Sequence, residues 1–326
     1  MKMIKINDKI FIAGANGMAG QAIKKSFLKH GYKFLLTPSR AELNFFDFKA
    51  VNKWFLKNKP DIVVVAAAKV GGILANSTQP TEFLLDNLKI QNNLIETSWR
   101  TGVKRLLFLG SSCIYPKYAS QPIKEEELLN GALERTNEWY AIAKIAGIKL
   151  CEALRKQYNF DAISLMPTNL YGPGDNYDPD NSHVMAALLS KFYKASKESL
   201  PSVTCWGSGS PYREFLHAND LGEATIFALE KWDPNAENAP ISKKGEPLTF
   251  LNVGSGKDIS IMDLTKKIAD LFHYKGEIIW DQNKPDGTPK KLLDIDRIIR
   301  LGWEPKITLD EGLRQTIRNL KKEIII

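Results

Sequence analysis

Cysteine and histidine are scarce in this chain: three Cys and four His occur among 326 residues. The cysteines, Cys113, Cys151 and Cys205, are odd in number, and no two stand in C-x-x-C spacing. A disulfide framework and a structural zinc site are therefore not expected, and no metal ligand set is predicted. No apolar run approaches the ~20 residues of a membrane span, so no membrane association is expected. The start, Met1 to Lys9, lacks the long apolar stretch of a signal peptide, and the expected location is the cytoplasm. Internal repeats and low-complexity segments are absent as well. The net charge of +8 is not gathered into runs; Lys243-Lys244 and Lys290-Lys291 are the kind of pair most soluble proteins carry. The excess is either a solvated basic surface or a bias toward anionic ligands such as nucleotides, and nucleic acid is not an expected partner.

What is present is a hydrophobic content of 44%, enough for a substantial core, and a clear alternation of patterns. Strands are predicted at Lys9–Ala13, Lys33–Thr37, Asp61–Ala68, Arg105–Leu109 and Asp161–Met166. Helices are predicted at Gln21–His30, Phe48–Lys57, Thr81–Arg100 and Glu138–Gln157. Short apolar strands separated by amphipathic helices imply an α/β fold, a parallel sheet with helices on both faces. After about Pro167 the alternation fades, and Asp233–Thr249 and Asn283–Lys290 read as loops. The expected architecture is a Rossmann-type doubly wound domain over residues 1–170, with a smaller C-terminal substrate-binding lobe over 171–326. Some later segments are expected to return to the first domain.

Gly14-Ala15-Asn16-Gly17-Met18-Ala19-Gly20 follows a strand and opens a helix. Glycines there permit a tight turn and close backbone approach to a pyrophosphate, and the helix start presents free N–H groups to the anion. The spacing G-x-x-G-x-x-G alone also fits an ordinary glycine-rich turn. An NAD site usually places a carboxylate about 20 residues downstream on the second strand. Here the segment is Thr37-Pro38-Ser39-Arg40, and Arg40 offers a planar fork for the 2′-phosphate of NADP(H). The alternative is a plain surface arginine.

Tyr140 and Lys144 stand four apart on one predicted helix face, so the ammonium can approach the phenol and lower its pKa. Gly110-Ser111-Ser112-Cys113-Ile114-Tyr115-Pro116 sits at the carboxyl end of a strand, where ligands bind in such sheets. Ser111 can hydrogen-bond a substrate carbonyl beside the tyrosine. Taken alone, Cys113 could equally be a packing residue, and His183 could satisfy a loop hydrogen bond. Trp206 could be core or a stacking platform. Cys151 and Cys205 have no partner logic and are read as structural.

These segments, together with Ala66-Ala67-Ala68-Lys69-Val70-Gly71-Gly72, Tyr140 to Gly147 and Pro167 to Pro173, resemble the GDP-L-fucose synthase family of extended short-chain dehydrogenases/reductases. Asn181-Ser182-His183-Val184, Trp206 to Gly209, Arg213 to His217 and Lys284-Pro285-Asp286-Gly287-Thr288-Pro289 extend the resemblance over nearly the whole chain. The resemblance implies a bifunctional enzyme that epimerises C3 and C5 of GDP-4-keto-6-deoxy-D-mannose and reduces C4 with NADPH. It implies a reductase set of Ser111, Tyr140 and Lys144, with Cys113 and His183 serving the epimerisations. Gly14 to Gly20, Arg40, Leu109 to Ser112, Lys144, Pro167, Thr168, Asn169, Leu170 and His183 would hold the cofactor. Lys191, Trp206, Arg213 and Asp286 would hold the GDP-sugar. A homodimer through the long helices at 81–100 and 138–157 is also implied, although the same chain could cover their apolar positions. Ala15-Asn16 departs from the family, where many members carry His-Arg. Two other readings stay open: a C4-reductase of a different GDP-4-keto-deoxy-sugar, and a non-catalytic NADP-binding regulator.

Overall fold

The computed structural model describes residues 2–178 and 182–324. Its first half runs β1 (Ile10–Ala13), α1 (Met18–Lys29), β2 (Leu35–Leu36), α2 (Phe48–Asn58), β3 (Ile62–Val65), α3 (Ile73–Thr78), α4 (Pro80–Arg100), β4 (Arg105–Leu109), α5 (Glu138–Tyr158) and β5 (Ala162–Pro167). It continues with β6 (Asn169–Tyr171), α6 (Val184–Lys197), β7 (Ser202–Trp206), β8 (Tyr212–His217), α7 (Ala218–Lys231) and β9 (Phe250–Val253). The last elements are β10 (Asp258–Ser260), α8 (Ile261–Leu271), β11 (Glu277–Asp281), β12 (Lys290–Lys291), α9 (Asp296–Arg300) and α10 (Leu309–Ile324). Regular structure therefore persists beyond Pro167. Its strands are short and separated by turns such as Gly207 and Gly209, both at positive φ, which hides their period in the sequence.

Six strands form one parallel sheet in the order β2-β1-β3-β4-β5-β9. Every residue of β1, β3, β4, β5 and β9 is buried. Helices cover both faces, so these strands read as continuous apolar runs rather than as alternating ones. The chain order reverses between β1 and β3, which opens a crevice outside their carboxyl ends. The core of this larger lobe also takes in Leu221 to Trp232 of α7 and its end, β9, and Ile295 to Trp303 around α9. A second core joins Met185, Leu189 and Phe192 of α6 to Phe215, Leu264 and Leu313. Around it lie a sheet in the order β10-β8-β12, with β6 also on β8, and the pair β7-β11.

Helix α1 starts at Met18, three residues before the predicted Gln21, so Gly20 lies inside it. Glycine usually weakens a helix, but here backbone approach decides: a Cβ on Gly20 would stand 2.0 Å from the Gly14 carbonyl oxygen. The second strand shrinks from the predicted 33–37 to Leu35–Leu36. Helices α4 and α5 pack against each other and the sheet through Phe83, Ile90, Leu94, Ala141, Ile148 and Leu154, all buried. Leu85, Trp139 and Ile142 on the same helices stay exposed. Among the described residues no helix is long and apolar enough to cross a membrane.

Candidate active site

The crevice begins at the loop after β1. Gly14 has φ +82°, and a Cβ there would lie 2.8 Å from the Ala67 backbone, so the turn and the segment after β3 meet closely. Gly17 is the N-cap of α1 and supplies no side-chain cap, leaving the first helical N–H groups open to an anion. Space remains on that side, since a Cβ on Gly17 would meet nothing nearer than 3.6 Å. Ala15 is buried and Asn16 exposed, so the loop presents no cation. The turn after β2 is locked by a reciprocal cap: Ser39 N donates to Glu42 Oε2 at 2.7 Å, and Glu42 N to Ser39 Oγ at 3.3 Å. Arg40, between them, is exposed, and its guanidinium makes no hydrogen bond or ion pair among the described residues. A glycine cradle, an uncapped helix start and one free planar cation together fit a dinucleotide phosphate with a 2′-phosphate.

At the end of β4 the chain turns through Gly110 and Ser111. Ser111 Oγ accepts from Cys113 N at 3.2 Å and caps the single turn of Ser112–Ile114. Helix α5 lies close over β4 because residue 147 is glycine; a Cβ there would stand 2.6 Å from the Phe108 ring. Gln91 Nε2 donates to Ala143 O at 2.6 Å and fixes the helix from the other side. This approach buries Lys144, whose ammonium donates to Leu109 O at 2.8 Å and lies 4.7 Å from the Phe108 ring centre. Burial lowers its pKa to about 7.

Tyr140 is four residues earlier on the same face, as the spacing predicts, with its ring centre 5.8 Å from the ammonium. Burial pushes its phenol above the ordinary range, Cys113 adds to the rise, and a hydrogen bond with Ser111 draws it back. The expected lowering by Lys144 is not found. The amine is engaged by a backbone carbonyl, and burial lowers its own pKa to about 7, so it carries little charge where the phenol would ionise.

Cys113 is half-buried, and its sulfur faces donors: Asn137 Nδ2 at 3.4 Å and Lys291 Nζ at 3.8 Å. Asn137 is the N-cap of α5 but makes no capping bond with its side chain. His183 is the N-cap of α6, again without a side-chain cap. It is reached by solvent yet crowded by the walls of the cleft, and this desolvation, with Lys291, holds its imidazole below the ordinary value. Ser111, Cys113 and Tyr140 thus gather at the end of β4, Lys291 from β12 reaches the sulfur, and His183 lies near enough to Lys291 to feel its charge. Asn181, beside His183 in the sequence motif, lies outside the described residues.

The remaining candidates line the cleft farther out. Thr168 Oγ1 and Asn169 Nδ2 both donate to Glu214 O, at 3.3 and 2.7 Å, which ties the end of β5 to β8. Arg213 donates to Asp286 O at 3.1 Å; burial depresses its pKa, opposed by Cys113 and Asp286. The Asp286 carboxylate accepts from Ser208 N and Ser208 Oγ, both at 2.8 Å, so it braces the turn beside Trp206. Trp206 is not core: it is 42% exposed. Lys191 and Lys284 stand 5.7 and 5.0 Å from its ring centre. Cys151 and Cys205 are buried. A separate hollow lined by Tyr193, Lys197, Phe272 and His273 holds none of these residues.

Sequence reasoning missed Lys291, Asn137 and Glu134. Lys290-Lys291 reads as a surface pair, but β12 turns successive side chains to opposite sides. Lys290 pairs with Asp258 at 3.1 Å, while Lys291 points to Cys113. The signal available was Asn137, which directly precedes the Tyr-x-x-x-Lys helix.

A sequence model of the NAD dependent epimerase/dehydratase family matches residues 10–241. Over 308 residues the chain is 49% identical to GDP-L-fucose synthase of Escherichia coli (strain K12), spanning 94% of this chain and 95% of that protein. The crystal structure of a GDP-6-OMe-4-keto-L-xylo-heptose reductase from C. jejuni superposes with a TM-score of 0.92 at 34% identity, covering 98% of this chain and 99% of that one. A GDP-mannoheptose C4 reductase from Campylobacter jejuni with NADP bound superposes with a TM-score of 0.86, also at 34% identity and with 98% and 99% coverage.

Proposed function

Because this chain belongs to the NAD dependent epimerase/dehydratase family, and within it to the GDP-L-fucose synthases, we propose that its cleft converts GDP-4-keto-6-deoxy-D-mannose to GDP-L-fucose. The cofactor is NADP(H). When bound, NADPH supplies the hydride for C4. The observation that supports the reading is Cys113 beside Ser111 and Tyr140, with Lys291 on its sulfur and His183 in the field of that same lysine. A ketone at C4 acidifies the hydrogens on C3 and C5. An epimerase needs an acid and a base on opposite faces of the ring, and thiol and imidazole suit this because their reference pKa values, ~8.5 and ~6.5, bracket neutrality. Ser111 and Tyr140 donate to the enolate oxygen as charge develops. After inversion Tyr140 protonates the oxygen at C4. Lys144 holds the floor of the site through Leu109 O.

The phosphate side is held by Gly14 to Gly20 and Arg40, with Leu109 to Ser112, Lys144, Pro167 to Leu170 and His183 nearer the reacting end. Lys191, Trp206, Arg213 and Asp286 hold the GDP-sugar, with Trp206 as a flat platform between two ammonium groups. Residues 1–170, joined by α7, β9 and α9, make the cofactor half, and most of 171–326 the substrate half. The exposed Leu85, Trp139 and Ile142 on α4 and α5 support a homodimer through these helices, and we place the protein in the cytoplasm.

A second reading, a C4-reductase of another GDP-4-keto-deoxy-sugar, is favoured by the likeness to the two reductase structures. Cys113 with Asn137 and Lys291 on its sulfur, and His183 near the same lysine, argues for epimerisation, since reduction alone uses none of them. Incubation with GDP-4-keto-6-deoxy-D-mannose and NADPH separates the two. GDP-L-fucose is the expected product, and a reduced sugar with C3 and C5 unchanged would reject the epimerase reading.

Arg40 sets a further expectation. The loop Ala15-Asn16 offers no cation, so the preference for NADPH over NADH depends on Arg40. A charge-assisted contact to phosphate contributes ~1.5–3 kcal/mol, roughly tenfold to a hundredfold in affinity. Arg40→Ala should remove most of the preference, read as the ratio of dissociation constants for the two cofactors. An unmodified enzyme that uses both equally would refute the assignment.

A further inference from the structure

We infer that Glu134 resets the protonation of Cys113 between the two inversions, which rests on the epimerase reading above. The hydrogens at C3 and C5 of a D-manno-configured ring project from the same face. A ring held still between one thiol and one imidazole must therefore be inverted twice in the same sense. Each inversion takes a proton from the sugar onto one group and returns a proton to it from the other. After the first, both groups are in the wrong state for the second. The thiol must exchange a proton while the sugar stays in place.

The structure provides a route. Behind Cys113 lies a small cavity of about 20 Å³, bounded by Cys113, Glu134, Asn137, Thr288 and Lys291. A space of this size takes a single water, which needs ~10–15 Å³. The two groups that touch the sulfur, the Asn137 amide nitrogen and the Lys291 ammonium, are donors without acceptor capacity. Neither can accept the proton of the thiol. Tyr115, also on the cavity wall, spends its hydroxyl on Asn252 Oδ1 at 2.6 Å. Glu134 is the one carboxylate among the lining residues. It is only 8% exposed, but Lys117 Nζ, on a part-exposed side chain, stands 2.7 Å from its Oε2. Its Oε1 also accepts from Thr136 N at 3.4 Å, so the carboxylate is held at the cavity wall close to a part-exposed side chain. If Cys113 acts as the base, its S–H proton passes through the cavity to the Glu134 carboxylate, leaving a thiolate and a carboxylic acid. The acid then returns its proton to bulk water. If Cys113 acts as the acid, the same protons move in the opposite direction.

The test follows deuterium uptake into the ketone itself, in heavy water with NADP⁺ in place of NADPH so that no reduction intervenes. The wild type should label C3 and C5 in close succession. Glu134→Gln should label one carbon and then lag, with the second exchange slower by about 10²-fold, the low end of acid–base effects. Lys117→Met, which removes the ion pair but keeps the carboxylate, should label both carbons like the wild type, and Glu134→Asp should restore part of the second exchange. Equal labelling of both carbons by Glu134→Gln overturns the proposal. So does the same lag in Lys117→Met, or loss of NADPH binding in Glu134→Gln, because either makes the carboxylate a structural prop. A wild-type enzyme that takes up no deuterium overturns the epimerase reading itself, and the relay with it.

Discussion

Cys113→Ala should abolish deuterium uptake at C3 and C5 while a slow reduction at C4 survives, giving a sugar of altered stereochemistry. The thiol is half-buried and makes no capping bond with its sulfur. Removing one atom therefore leaves the Ser111 cap of the turn and the Tyr140 hydroxyl in place. Asn137 and Lys291 lose one acceptor at 3.4 and 3.8 Å, and Asn137 caps no helix with its side chain, so the fold has little to lose. Proton exchange, by contrast, loses the group we propose as its acid or base, and such losses run to ~10²–10⁴-fold. Reduction needs the ketone, Tyr140 and Ser111; the sulfur touches it only by adding to the rise of the Tyr140 phenol, and its loss leaves that hydroxyl protonated by burial. His183→Ala should impair exchange as well, but His183 opens α6, which also carries Lys191, so binding and chemistry would fall together. The measurement is NMR of the product made in heavy water by the cysteine variant. Normal labelling of both carbons would mean that Cys113 only packs.

Tyr140→Phe should slow reduction by ~10²–10⁴-fold, equivalent to ~3–5 kcal/mol of barrier, while NADPH still binds. The ring keeps its place because its edge contact with Phe83, 6.4 Å between centres, does not use the hydroxyl. What is lost is the proton donor for the oxygen at C4 and the partner of Ser111. The raised phenol pKa suits this task, since a protonated hydroxyl is the form that can donate. Single-turnover consumption of NADPH reads the rate, and fluorescence titration reads binding. A variant that keeps most of its reduction rate would show that Ser111 or another group gives the proton.

The parts legible in the sequence are those carried by local spacing. Arg105–Leu109 is a strand with the same bounds in prediction and structure, because Leu106 to Leu109 is an unbroken apolar run and Arg105 at its start is buried against Asp161. Tyr140 and Lys144 fall on one face because a helix repeats about every four residues. Glycine positions 14 and 20 mark the phosphate turn because a Cβ fits at neither, while position 17 has ordinary room for one. The elements after Pro167 were harder to read. The two-residue strand at Lys290–Lys291 exists through pairing with Tyr212–Arg213, and no window of sequence contains both partners.

By itself, then, the sequence determined the parallel α/β sheet, the anion-binding turn, the choice of Arg40 over a carboxylate and the candidate chemistry of Ser111, Cys113, Tyr140, Lys144 and His183. Tertiary structure decided what surrounds those groups. It buried the Lys144 amine against Leu109 O, because Gly147 lets α5 settle onto β4. It exposed Trp206 between Lys191 and Lys284, and it set Asn137 and Lys291 on the sulfur of Cys113 with Glu134 behind. Cys113 and Lys291 are 178 positions apart in the chain. The physical reason is that an electrostatic environment is a sum over neighbours in space, and those neighbours are chosen by packing between segments whose separation along the chain carries no trace of their contact.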